Sequence, residues 1–198
     1  MKYYLKTMLV PFIYLLFTAV ANVGFMGSEK IPKGLSLALV ILMLVVYLCI
    51  LWSFNFKHGE QAYKDLIFND RERKIIIETG EDRPLKIHEE YKAWKGFFLG
   101  FLVCIPLIVL MIIHTVFVVL GSSYVGFGYV AGLLYNVVFA IFEWILPSIG
   151  SLDYYLSLIA IPIICLTTGI AYLIGARKEI KIRRKIEQQK EFLHGNKK

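Results

Sequence analysis

The chain has 198 residues, 58% of them hydrophobic and only 19% charged, whereas soluble domains carry roughly 25% charged residues. That balance excludes an ordinary soluble domain or a disordered tail and points to a polytopic membrane protein. The net charge of +7 is carried by cations that flank apolar runs rather than stripe a soluble face, so anionic lipid headgroups are the expected counter-charge and nucleic acid is not.

Residues 8–25 form the first run free of Lys, Arg, Asp and Glu. At about 1.5 Å of rise per residue it approaches the roughly 30 Å of a bilayer's hydrocarbon core, so it reads as a spanning helix. Ala19 and Ala21 imitate a signal-peptide cleavage site, which leaves removal of residues 1–21 as an alternative. Residues 35–55 form the second apolar run, and residues 1–56 together predict a transmembrane hairpin with a short loop.

The polar insertion at 57–95 holds nine basic and nine acidic residues. Its pattern predicts a short helix at 60–68. The β-branched KIIIET at 74–79 reads as a strand that turns at 80–84 into a second short strand at 85–87. His88-Glu89-Glu90-Tyr91-Lys92 lacks the second histidine of a zinc-binding HExxH, so it carries no metal reading. Trp94 and Lys95 are expected at lipid headgroups as the chain re-enters the membrane.

Residues 96–121 form the third run, with Pro106 near its middle and a small-xxx-small face at Gly96 and Gly100, a spacing that favours close helix contact. Residues 124–146 are apolar as well, but they contain three glycines near their start, Asn136 and Glu143, and end at Pro147. Residues 154–176 make the last run, interrupted by Pro162, and residues 177–198 form a basic tail with nine Lys and Arg. Ile182, Ile186, Gln189 and Leu193 line one flank of the tail, and Arg177, Lys178, Arg183 and Arg184 are expected at headgroups.

The two stretches with nine cations each should share one side of the membrane. A full crossing by 124–146 would separate them, so this segment is expected to be re-entrant or interfacial; five spanning helices is the alternative. The predicted fold is thus an all-α polytopic bundle of four spanning helices plus one re-entrant or interfacial helix. It carries a small cytoplasmic insertion at 57–95, a second transmembrane unit at 96–176 and a basic cytoplasmic C-terminal helix.

Chemistry is sparse. Polar groups are costly in hydrocarbon, so His114, Asn136 and Glu143 stand out as a candidate polar cavity. Cys49, Cys104 and Cys165 are far apart and have no metal-ligand spacing. The sequence carries no P-loop, nucleophile elbow or dinucleotide fingerprint. The expected protein is a non-enzymatic accessory, scaffold or regulatory subunit of a bacterial plasma membrane. It is multi-pass with both termini cytoplasmic, and it engages lipid headgroups and a protein partner at the cytoplasmic face, with oligomers allowed. No cofactor and no metal are expected. A small transporter or channel subunit with an outward-facing polar cavity is the alternative.

Overall fold

The computed structural model describes residues 2–26, 31–121, 126–145 and 153–195, and among these every regular element is helical. In chain order they are α1 (Lys2–Met26), α2 (Lys33–Thr79), α3 (Lys95–Val119), α4 (Gly126–Ile145) and α5 (Asp153–Leu156). A 3-10 turn (Ser157–Ile159) then leads into α6 (Ala160–Gly195). α1, α2, α3 and α6 each hold an apolar stretch long enough to cross a bilayer, and α4 contributes a shorter apolar helix. The chain is an integral membrane protein of all-helical build.

The strand expected at 74–79 is absent, and those residues are instead the last turns of the 47-residue α2. Once nucleated, a helix adds one hydrogen bond per residue fixed, and nothing between Asn55 and Thr79 stops it. The few tenths of a kcal/mol lost at each of Ile75, Ile76 and Ile77 do not outweigh that gain. Gln61 donates to Asp65 at 2.9 Å and Lys64 pairs with Glu60 at 2.9 Å, both one turn apart on the helix. The stop comes at Gly80, whose φ of +70° closes the helix as its amide bonds Ile76 O at 2.8 Å. Residues 85–87 are likewise not a strand.

Contacts divide the chain into two units, Met1–Leu51 with Phe98–Thr167 and Trp52–Phe97 with Thr168–Lys198. In the first unit, α1 and α2 are tied where Ser36 Oγ donates to Phe25 O at 3.0 Å, and Leu15, Tyr47, Leu107, Tyr135 and Ile164 are fully buried. Phe17 and Val20 are each 70% exposed, as expected of side chains facing lipid rather than water. α4 begins and α5 follows beside the same residue of α3. A Cβ on Gly128 would lie 2.9 Å from the His114 ring, and the Tyr155 ring centroid is 5.9 Å from that ring's. Between these points Tyr135 reaches Val103, eleven residues or about 16 Å back along α3. Gly128 and Tyr155 thus share one level of α3 while Tyr135 lies deeper, a placement that fits a re-entrant α4 beside the four helices long enough to span.

Pro106 lies inside α3, where it has no backbone N–H to donate. The Tyr135 hydroxyl donates to Val103 O at 2.6 Å and lies in reach of the Leu107 amide, the pair that an undisturbed helix would join. A side chain inserted in the ladder beside a proline is a recognised source of helix bending. Pro162, by contrast, falls in the first turn of α6 just after the 3-10 turn, where its missing N–H costs little.

In the second unit, α2 and α6 touch backbone to backbone. A Cβ on Gly59 would lie 2.0 Å from Tyr172 O, and one on Gly175 2.0 Å from Phe56 O. Farther along, Lys178 pairs with Glu60 at 3.5 Å and Lys64 with Glu179 at 3.8 Å. From this crossing through the Glu60–Lys178 and Lys64–Glu179 pairs to the groove between 67–74 and 180–187, residue numbers rise together, so the two helices run parallel. The two cation-rich stretches accordingly emerge on the same side of the bilayer.

Candidate functional site

The side chains with the most chemistry fall in two places, one in each unit. In the second unit, residues 80–94 are pinned across α2. Tyr91 N–H donates to Ala62 O at 2.9 Å, and Lys86 N–H to Asn69 Oδ1 at 2.7 Å. Glu90, buried, accepts from Asn69 and from Arg73. The Tyr91 ring stacks on Tyr172 with centroids 5.6 Å apart. A loop fixed through two backbone N–H groups, a buried Glu90 carboxylate held by Arg73 and an aromatic stack is a built surface, not a tether.

Within that surface two carboxyls meet. Asp65 is 2% exposed, accepts from Gln61, and faces Lys86 Nζ at 3.5 Å. Its other side adjoins Glu89. The neighbouring Asp65 carboxyl, and then burial, hold Glu89 above the usual carboxylate range, while Lys86 and Lys95 pull the other way. Two carboxyls in contact are stable when one keeps a proton.

Past the Lys64–Glu179 pair, α2 and α6 leave a groove of about 390 Å³ between them. Arg71 and Lys74 of α2 and Arg183 and Arg184 of α6 line it, with Asp70 and Glu187 as the acids. Asp70 is engaged by Arg73 at 2.9 Å and Arg183 by Glu179 at 3.1 Å. Arg71, Lys74 and Arg184 keep their charge unpaired among the described residues.

Among the residues expected at headgroups, Trp94 is 52% exposed, and Arg177 and Arg184 are exposed. Lys178 is also exposed, and its ammonium lies 5.3 Å from the Phe56 ring centre besides pairing with Glu60. Lys95 differs from the expectation. It is 5% exposed, and its ammonium donates inward to His88 O at 2.9 Å and Glu90 O at 2.6 Å. The bend at 88–95 turns carbonyls toward it, and they hold its charge instead of lipid phosphates.

In the first unit, the three residues of the expected polar cavity have different surroundings. His114 is buried between Gly128 and Tyr155. Asn136 is buried against α1, taking a bond from Asn22 Nδ2 at 3.5 Å and donating to Ala19 O at 3.4 Å. Glu143 is on α4, and its side chain lies outside the described residues. Asn136 thus spends its amide on joining two helices, the common use of such groups in membranes.

Sequence reading missed a second buried polar group. Tyr47 of α2 lies near Tyr135 of α4 and Cys104 of α3, and Cys104 is within reach of Cys165 of α6. Tyr47 Oη is buried with no hydrogen-bond partner among the described residues. An isolated Tyr in an apolar run reads as packing, and nothing in its spacing marks it otherwise. Arg71 and Lys74 were missed too, because Arg71 falls between the helix expected at 60–68 and the strand expected at 74–79, and Lys74 opens that strand. No group of three or more His, Cys, Asp or Glu that would hold a metal occurs among the described residues. Comparison with family models, curated proteins and solved structures finds no match to this chain.

Proposed function

We propose that this integral membrane protein is a non-enzymatic scaffold or regulatory subunit whose working surface is the charged second unit. The supporting observation is the parallel α2 and α6 pair, locked through Gly59 and Gly175 with its loop pinned across it. This arrangement spends charge on holding a shape while leaving Arg71, Lys74 and Arg184 presented on one groove. All Lys and Arg except Lys2, Lys6, Lys30 and Lys33 fall in the two stretches that build this unit. Following the positive-inside rule, the proposal sets this unit and both termini on the cytoplasmic side of a bacterial plasma membrane. Anionic headgroups and a protein partner are its expected contacts. Photo-cross-linking from Tyr63, Arg71, Ile186 and Phe192 in cells is expected to capture one stoichiometric partner; capture of none defeats the reading.

A transporter or channel subunit is the second reading, favoured by the buried Tyr47 hydroxyl beside Tyr135 and Cys104. Purified protein in liposomes that moves ions or solutes, and stops doing so on Tyr47→Phe or His114→Ala, would replace the scaffold reading with this one.

A further inference from the structure

The far half of α6 carries a surface that the second unit leaves uncovered. α6 meets α2 through Gly175 and Glu179 and, across the groove, through Ile180 and Glu187. Ile182, Ile186 and Gln189, spaced by four and three residues, lie on a different face together with Phe192. Ile182 is 40% exposed, Ile186 45% and Phe192 71%. The spacing is that of a coiled-coil seam, and Leu193 continues it in sequence. A recess of about 520 Å³ opens beside its far end, lined by Gln189 and Phe192 and, at the edge, by Lys185 and Gln188.

Charge selects what covers this seam. Lys181 and Lys185 border one edge and Lys190 the other, and none has an ion pair or hydrogen bond among the described residues. Glu187 is turned to the α2 groove, and helical periodicity puts Glu191 on the far side. A second copy is disfavoured, since parallel pairing through this seam sets Lys185 of one chain against Lys190 of the other. The bilayer is disfavoured as well. α6 runs unbroken from Ala160 to Gly195 and is braced to α2 at Gly175. The seam therefore stands about 9 to 24 Å beyond the last apolar residues, outside a headgroup layer roughly 5 to 7 Å deep.

We infer that the seam of Ile182, Ile186, Gln189 and Phe192 is the docking site for an acid-flanked amphipathic helix of a partner protein. The inference rests on the scaffold reading and names its partner's chemistry. The test uses the full-length protein in nanodiscs of zwitterionic lipid. It is titrated with a synthetic heptad peptide bearing leucine and isoleucine at the seam and glutamate on both flanks, and with a lysine-flanked control. The acidic peptide is expected to bind and the control not to. Ile186→Asp is expected to weaken binding by at least about tenfold, and Lys185→Glu with Lys190→Glu to transfer the preference to the control. Absence of binding, or binding indifferent to Ile186→Asp, overturns the inference. So does Ile186-dependent self-association or Ile186-dependent binding to anionic vesicles. In cells, a partner captured from Tyr63 or Arg71 but not from Ile186 or Phe192 leaves the scaffold reading standing and removes this one.

Discussion

The two units are held together by different physics. In the first, Leu15, Leu107 and Ile164 fill the core while Phe17 and Val20 face outward, and lipid offers no hydrophobic gain for bringing such helices together. Cohesion there rests on shape and on a few buried bonds, Asn22 to Asn136 and Tyr135 to Val103. In the second, ion pairs flank a glycine crossing, and Glu90 and Lys95 are buried in the loop pinned across α2. The difference teaches where substitutions should be felt. Small changes of shape disrupt the charged unit, small losses of polarity disrupt the apolar one, and exposed charges matter little in either.

The largest effect is expected at the glycine crossing. Gly59→Ala places a methyl against a backbone carbonyl that has no rotamer to yield, and should cost about 3 kcal/mol or more. Gly34→Ala, in the first unit with nothing within 4 Å, should be neutral. Limited proteolysis of residues 80–94 in the purified protein reads both. Next, Tyr135→Phe removes the hydroxyl inserted beside Pro106 and should cost about 1 to 2 kcal/mol. Its signature is a lower midpoint of unfolding with residues 80–94 as protected as before.

Glu89 supplies a pH test. Its folded-state pKa is raised, by Asp65 first and by burial second. The fold therefore binds more protons here than the unfolded chain, and this contribution is full below the ordinary glutamate value and lost as pH rises through the raised one. Glu89→Gln should make protection of residues 80–94 less dependent on pH in that window, with the variant at least as stable as the parent at neutral pH. The smallest effect is expected for Lys178→Ala. This lysine is 51% exposed, and removing an exposed pair should change stability by no more than about 0.5 kcal/mol.

Much of the architecture was legible because it follows from one property, the length of uncharged runs. The four spanning helices and the even number of crossings come from apolar length and the distribution of Lys and Arg. The re-entrant or interfacial reading of α4 came from the same charge argument, and the positions of Gly128, Tyr135 and Tyr155 around α3 fit a re-entrant helix. What was not legible depends on partners distant in sequence. Ile75 to Ile77 read as strand because local preference ignores an upstream helix already formed. Lys95 read as a headgroup contact because the sequence does not reveal a bend that aims two carbonyls at it. Gly59 stands alone in a charged stretch, and only its meeting with Tyr172 gives it a role. The candidate site was legible as a list of polar residues but not as an arrangement, since Asn136 turns to α1 while His114 turns to Gly128 and Tyr155.

The central claim is that the charged ends of α2 and α6 run side by side on one face of the membrane. Single cysteines at Ile77 and at Lys190, introduced after replacing Cys49, Cys104 and Cys165, can be probed in intact cells and in lysed membranes with an impermeant maleimide. Both are expected to be silent in intact cells and to react after lysis. Labelling of one from outside while the other stays protected would contradict the account.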